Sequence, residues 1–220
     1  MFIINIKKPV IITYLGIAFG IISMCFSFIN ATSDSIDYLN YSLIFLILAG
    51  VCDMFDGRLA RRCKRTKEEK EFGIQIDSLA DTINFVVLPI VIMMSIGMKS
   101  IIDIVVYILF AICGVSRLAV FNCNADLDKP VKEYTGLPVT SVAVIYPILG
   151  LLYRIIPEQI FYALSIIITF IVAILFISKI KIPKFKKKAY IILPVIGLIV
   201  SILLVVKNVL WFKKWQIYRK

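Results

Sequence analysis

Residues 53–81 read DMFDGRLARRCKRTKEEKEFGIQIDSLAD and place two pairs of aspartates on either side of a basic loop. Asp53 and Asp56 are three residues apart and Asp77 and Asp81 are four apart, so each pair shares one face of a helix. At 1.5 Å per residue, the four side chains lie roughly 6–12 Å inside the two helix ends that flank the loop. We expect Asp56 to face Asp77 and Asp53 to face Asp81, which predicts a cage of four carboxylates.

The rest of the chain is strongly apolar. Hydrophobic residues make up 60% of the 220 residues and the mean hydropathy is +0.94, whereas soluble domains are about 45–50% apolar. The composition predicts one all-α, polytopic membrane domain over residues 1–220, with seven or eight spans. Seven apolar runs are long enough to cross a bilayer, and they lie near residues 10–29, 40–60, 74–97, 101–122, 137–156, 158–178 and 187–206.

Basic residues cluster on one side of this predicted topology, and the net charge is +11. The clusters at 7–8, 61–65 and 178–188 place the N-terminus and the aspartates on the cytoplasmic side of the cell membrane by the positive-inside rule. We interpret this charge as orientation and contact with anionic lipid, not as nucleic-acid binding. With seven spans the basic tail at 211–220 falls outside, unless 187–212 forms a re-entrant hairpin or hides an eighth span.

Four aspartates inside the membrane need cations to offset the free-energy cost of burying their charges. Each costs about 2.5–3.5 kcal/mol near the centre of a spanning helix, and the chain has no histidine to serve as an alternative ligand or base. Several carboxylates with no softer ligand favour a hard divalent ion, Mg²⁺ or Mn²⁺, and the cage has room for two. The alternative is that the aspartates pair with arginine and lysine at the membrane surface.

The same stretch resembles the signature of the CDP-alcohol phosphatidyltransferase family. It reads D-x-x-D-G-x-x-A-R from Asp53 and, after eleven residues, G-x-x-x-D-x-x-x-D from Gly73. The first span, KPVIITYLGIAFG at 8–20, is similar to the opening helix of the family, although Gly16 stands where relatives often carry asparagine. The resemblance implies a six-helix core with extra C-terminal helices, usually a homodimer, which moves a phosphatidyl group from a CDP-linked lipid to a small alcohol and releases CMP.

The resemblance also implies roles for the residues of the signature. Asp81 corresponds to the family's general base, whether the attack on phosphorus is direct or passes through a covalent intermediate. The implied metal ligands are Asp53, Asp56, Asp77 and Asp81. The implied contacts to the CDP-lipid are Thr13, Asp53, Gly57, Ala60, Arg61 and Thr66, and for Thr66 a solvated loop position is an equal alternative.

Two later stretches resemble the phosphatidylserine synthase branch of that family: CGVSRLAVFN at 113–122 and YTGLPVTSVAV at 134–144. Serine would then be the acceptor, and CDP-diacylglycerol or CDP-archaeol the donor. Arg117 is a cation inside a predicted span, which makes it a candidate to bind the serine carboxylate; its alternative role is to neutralise the aspartates. Further candidates for serine contacts are Asn122, Glu133 and Thr135.

Two other functions fit parts of the sequence. A relative that uses inositol phosphate or glycerol phosphate would need several converging arginines or lysines, and only Arg117 lies inside a span apart from the signature. A divalent-cation transporter would need acidic residues along a path across the membrane. Asp103 and Glu158 are predicted at the far surface, with nothing acidic between them and the cage.

Overall fold

The computed structural model describes residues 8–33, 38–123, 133–183 and 189–218. These residues form seven helical segments, because Lys67–Asp81, Thr82–Val87 and Leu88–Ser95 follow one another as one continuous helix. The helices are α1 Lys8–Thr32, α2 Leu39–Arg62, α3 Lys67–Asp81, the π-helix Thr82–Val87, α4 Leu88–Ser95, α5 Ile101–Cys123, a short 3₁₀ turn Val139–Ser141, α6 Val142–Leu152, α7 Glu158–Ile177 and α8 Ala189–Tyr218.

Five of the described helices are long and apolar enough to cross a membrane: Pro9–Thr32, Lys67–Ser95, Ile101–Cys123, Glu158–Ile177 and Ile192–Val209. Helix α2 is not in this set, and Val139–Leu152 is a shorter apolar helix. The protein is therefore a multi-pass helical membrane protein, which confirms that part of the prediction.

The C-terminal region forms a single helix. Helix α8 runs without a break over 30 residues, so in the part of the chain that the structure describes there is neither a re-entrant hairpin nor an eighth span. The described C-terminal region thus contains one helix after α7. At 1.5 Å per residue it is about 45 Å long, which exceeds the roughly 30 Å of hydrocarbon.

A two-stranded antiparallel ribbon was not predicted. Strand β1 (Glu133–Thr135) pairs with β2 (Lys181–Pro183), with Tyr134 opposite Ile182. Next to the ribbon, the backbone N–H of Leu137 donates to the carbonyl of Leu175 at 2.9 Å. The ribbon therefore joins the segment before α6 to the segment after α7, at the membrane end where α2 finishes and α3 begins.

Small and polar side chains bring the first two helices together. The hydroxyl of Ser42 on α2 lies 2.8 Å from those of Ser23 and Ser27 on α1, and all three serines are buried. Hydroxyl contacts of this kind hold helices together where lipid offers no hydrophobic driving force. Gly50 allows an equally close approach of α2 to α6, because a Cβ atom there would overlap the methyl group of Ala143.

Helix α8 packs against the other helices instead of standing apart in lipid. Leu204 is fully buried, and the ammonium of Lys207 donates to the carbonyl of Gly150 on α6 at 2.8 Å. This packing positions the N-terminal half of α8 beside α2 and α6, where it closes one side of the cavity described below.

Candidate active site

The four aspartates of the signature meet between α2 and α3. Asp53, Asp56 and Asp77 each bring one carboxylate oxygen within 4.8 Å of the other two. Asp81 lies within hydrogen-bonding reach of Asp53, as the helical spacing predicts for that pair. The short spacing within each pair and the tight turn between α2 and α3 are sufficient to bring these four side chains together.

Asp56 has the smallest exposed surface fraction of the four aspartates, 5%. Its Oδ2 accepts a 2.8 Å hydrogen bond from the hydroxyl of Thr13 on α1. This bond brings the first helix into the site and fixes the orientation of the Asp56 carboxylate, because a charge-assisted hydrogen bond is about twice as strong as a neutral one.

The spacing of the carboxylates fits a divalent cation. Mg²⁺ and Ca²⁺ bind oxygen ligands at about 2.0–2.6 Å, so ligands on opposite sides of one ion are roughly 4–5 Å apart. Asp53, Asp56 and Asp77 lie inside that limit, and carboxylate oxygens are the ligands that such hard ions prefer. These three residues could therefore hold a metal ion, with Asp81 beside them.

A cavity of about 310 Å³ opens beside the aspartates, and all four line it. Its other walls come from helices that are distant in sequence. Helix α5 contributes Arg117 and Phe121, the start of α6 contributes Thr140, and α8 contributes Pro194 and Gly197. The volume is within the range of small-molecule and cofactor sites, and the cavity combines an acidic wall with apolar ones.

Some of the predicted CDP-lipid contacts line the cavity and others do not. Asp53, Gly57 and Arg61 line the cavity. A Cβ atom on Gly57 would lie 3.8 Å from Nη1 of Arg61, so the guanidinium lies close above the glycine. Ala60, one turn along α2, is partly buried and is not among the described residues that line the cavity.

Thr66 has a local structural role. It is the N-cap of α3, where its hydroxyl accepts from the backbone N–H of Glu69 at 3.3 Å and its own N–H donates to the Glu69 carboxylate at 3.0 Å. This reciprocal pair is a capping box. Thr66 is not among the cavity-lining residues that the structure describes.

The four predicted serine contacts likewise lie in different parts of the structure. Arg117 is buried in the cavity wall, where its guanidinium lies 5.7 Å from the ring centre of Phe121. Asn122 lies on the same helix, and its Oδ1 accepts a 2.9 Å hydrogen bond from Ser78 of α3. Glu133 and Thr135 lie in β1, and their side chains are outside the described part of the structure.

Asn84, which follows Asp81 by three residues, was not predicted as a site residue. The structure places it in a second, smaller cavity together with Thr13 and all four aspartates. A lone amide in an otherwise apolar stretch was the available signal. The contribution of α8 had no such signal, since Leu193, Pro194 and Gly197 have no functional groups.

The sequence model of the CDP-alcohol phosphatidyltransferases matches residues 7–177, which include the four aspartates, the cavity arginines and six of the seven helical segments. This chain belongs to the CDP-alcohol phosphatidyltransferase family. The family resemblance drawn from the signature is thereby confirmed. The match ends with α7, so α8 lies beyond it.

Three curated relatives are similar in sequence to this chain. It is 37% identical over 116 residues to the CDP-diacylglycerol–serine O-phosphatidyltransferase of Saccharomyces cerevisiae, covering 50% of this chain and 40% of the relative. It is 29% identical over 163 residues to the protein of that name in Methanocaldococcus jannaschii, covering 74% and 73%. It is 37% identical over 126 residues to the archaetidylserine synthase of Methanothermobacter thermautotrophicus, covering 54% and 52%. The chain thus spans about half or less of two of these relatives.

Proposed function

We propose that this protein transfers the phosphatidyl or archaetidyl group of a CDP-linked lipid to L-serine and releases CMP. The observation that carries the proposal is one cavity that joins four carboxylates to a buried arginine, Arg117. The names of the relatives support serine as the acceptor. Both CDP-diacylglycerol and CDP-archaeol are candidate donors, since the relatives include enzymes named for each class of product.

The CDP-lipid fits a site at this depth in the membrane. Its hydrocarbon chains would remain in the bilayer while its pyrophosphate reaches the aspartates near the helix ends. Arg61 lies at the cytoplasmic end of α2, where its guanidinium can donate two parallel hydrogen bonds to a phosphate. Gly57 leaves the backbone beside it open to a flat ligand group. Thr13 would act through Asp56, and Ala60 would border the nucleotide from one turn away.

The four aspartates would hold two divalent ions, Mg²⁺ or Mn²⁺. When bound, such ions supply electrostatic stabilisation of charge on the pyrophosphate oxygens and on the departing CMP. The burial and spacing of the carboxylates support this assignment, and family members require a metal.

Asp81 would accept the proton of the serine hydroxyl. The hydroxyl oxygen forms a bond to the lipid phosphorus, the bond from that phosphorus to the oxygen of CMP breaks, and the proton goes to the Asp81 carboxylate. A positioned carboxylate contributes typically 10²–10⁴-fold as a base. Direct attack inverts the phosphorus centre, whereas a covalent intermediate retains its configuration, so a chiral phosphorothioate donor separates the two routes.

Arg117 would bind the serine carboxylate, because a guanidinium matches a carboxylate with two parallel hydrogen bonds. Asn122, through its contact with Ser78, would hold the end of α5 against α3 beside this position. Glu133 and Thr135 remain proposed contacts to the serine ammonium and carboxylate. An acceptor that carries a phosphate is the alternative, and it would require more cationic groups than Arg117 and Arg61.

A divalent-cation transporter is less well supported. Such a protein needs acidic residues across the membrane, but the described carboxylates at the far end have local roles. Asp103 caps the start of α5 by accepting from the N–H of Ser100 at 2.8 Å, and Glu158 accepts a hydrogen bond from Tyr162 at 2.6 Å. Family membership also supports a transferase.

The proposal extends to architecture and orientation. We propose a six-helix catalytic core ending with α7, an accessory helix α8, a homodimeric assembly, and a cytoplasmic active site. Cysteine labelling of Ser100→Cys and Thr66→Cys variants in intact cells tests the orientation, since these residues lie at opposite ends of the helices; both variants are made in a protein whose five native cysteines are replaced by serine. Only the Ser100→Cys variant should react with a membrane-impermeant reagent.

Radiolabelled serine incorporation tests the function. The purified protein is incubated with CDP-diacylglycerol or CDP-archaeol, with Mn²⁺, with Mg²⁺ or after chelation, and in parallel with glycerol phosphate and inositol phosphate. Incorporation of serine that stops on chelation and returns with metal is the expected result. Turnover of a phosphorylated acceptor without serine would overturn the serine assignment, and full activity after chelation would overturn the metal site.

A further inference from the structure

A buried amide at the inner end of the acidic site has no role in the mechanism above. Asn84 is 2% exposed, and its Oδ1 has no hydrogen-bond partner among the described residues. Leaving a buried amide oxygen unpartnered costs about 1–3 kcal/mol. Such groups are rare in folded proteins and often indicate a role or a bound water.

Asn84 lines the smaller cavity, whose other walls include Thr13 and the four aspartates. The space in this cavity that the centre of a water-sized sphere can occupy is about 10 Å³, which is close to the minimum for a single water molecule. The site is polar on several sides, as a retained water requires. The Asn84 side chain and the carboxylates therefore border the same water-sized space, with Nδ2 of the amide toward Gly16 of the cavity wall and Oδ1 toward Gly20.

The backbone on both sides of the amide explains its position. Asn84 follows Asp77 by seven residues and Asp81 by three, which keeps it near their helix face. It lies in the π-helix Thr82–Val87, and π-helical turns inside α-helices are frequent at functional sites. On the opposite side, a Cβ atom at Gly20 of α1 would overlap Oδ1 of Asn84. The glycine thus leaves the space that the amide occupies.

We propose that Asn84 is a further binding residue of the divalent-cation site. Its carboxamide would contact a water molecule retained by a cation that the aspartates hold. Outer-shell contacts of this kind typically change metal affinity by 10–100-fold. The inference rests on the metal site of the proposed function and adds a residue that the signature does not contain.

Mn²⁺ binding to the purified protein in detergent tests the inference without turnover. Titration followed by the electron paramagnetic resonance signal of free Mn²⁺ gives both the number of sites and their affinity. Asn84→Ala should weaken binding about tenfold or more, and Asn84→Ser, which keeps one polar group, should fall between it and the wild type. Because unfolded protein lowers the number of sites, a folding defect is separated from a loss of affinity.

Two control variants separate an amide contact from packing. Val86→Ala shortens a buried side chain of the same π-helix that lines neither cavity. Asn40→Ala removes another buried amide without hydrogen-bond partners, at the far end of α2. Both should bind Mn²⁺ within about twofold of the wild type, since metal affinity depends on groups near the ion.

Displacing the amide gives a second, independent perturbation. Gly20→Ala puts a methyl group where Oδ1 now lies, and it should weaken Mn²⁺ binding while adding little in the Asn84→Ala background. Wild-type affinity in both Asn84 variants, or an equal loss in Val86→Ala, would overturn the inference. A wild-type protein that binds no Mn²⁺ would instead overturn the proposed metal site itself.

Discussion

The hydrogen bond from Thr13 to Asp56 makes a sharp test of the site, because it joins two buried side chains that lie on different helices, 43 residues apart in the chain. Its length is 2.8 Å, and the carboxylate that accepts it is 5% exposed. Thr13→Val removes the hydroxyl and keeps the branched shape of the side chain. The change therefore isolates one hydrogen bond to one carboxylate.

The expected magnitude follows from the charge and the burial. A hydrogen bond to a charged group contributes about 1.5–3 kcal/mol, and each 1.36 kcal/mol is tenfold in a rate or a binding constant. Without the hydroxyl, the Asp56 carboxylate loses its fixed orientation among the other carboxylates. We expect kcat/KM for serine transfer to fall about 10- to 100-fold, together with a weaker affinity for Mn²⁺.

Serine incorporation and Mn²⁺ titration on the same protein preparation measure both effects. Thr13→Ser keeps the hydroxyl and should retain activity within a fewfold of the wild type, which separates the hydrogen bond from the shape of the side chain. If Thr13→Val has the kcat/KM and Mn²⁺ affinity of the wild type, Thr13 does not orient Asp56 and the argument from this bond is wrong.

Three further changes follow from the structure. Asp81→Asn should lower kcat for serine transfer by about 10²–10⁴. Asp103 is an equally buried carboxylate at the opposite end of the helices, and Asp103→Asn should therefore stay near wild type in the same assay. Substantial residual kcat in Asp81→Asn would show that Asp81 is not the base. Arg117→Lys keeps the charge but loses the planar fork, so it should raise KM for serine about tenfold without a matching rise for the CDP-lipid; equal effects on both would refute the serine contact. Thr66→Ala should cost about 0.5–2 kcal/mol of stability through the lost cap, seen as a lower midpoint of thermal unfolding, and a large rise in KM for the CDP-lipid would contradict the capping role.

The signature aspartates were predictable because their positions depend on short spacings. Three or four residues along a helix return to the same face whatever surrounds the helix, and a short loop forces the next helix to run back beside the first. Those two rules bring Asp53 next to Asp81 without knowledge of any other helix. Hydropathy is equally local, and it located the apolar helices, although α3 begins seven residues before the predicted run and α8 ends twelve residues after it.

Thr66 and Asn84 illustrate what a local pattern leaves open. Thr66 was a candidate substrate contact, although Thr-x-x-Glu before a helix is itself a signal for a capping box. Asn84 was visible as an amide in an apolar stretch. Its importance depends on the π-helical turn and on the space at Gly20, and neither follows from hydrophobic periodicity.

The amino-acid sequence alone determined the membrane class, the apolar helices and the gathering of four carboxylates between two of them, because each depends on composition or on spacing within a few turns. Only the tertiary structure decided that Arg117, Thr140 and the apolar start of α8 share one cavity with those carboxylates. Contacts between helices far apart in the chain depend on how side chains of different helices interlock. That information is distributed over many residues, so no single motif carries it.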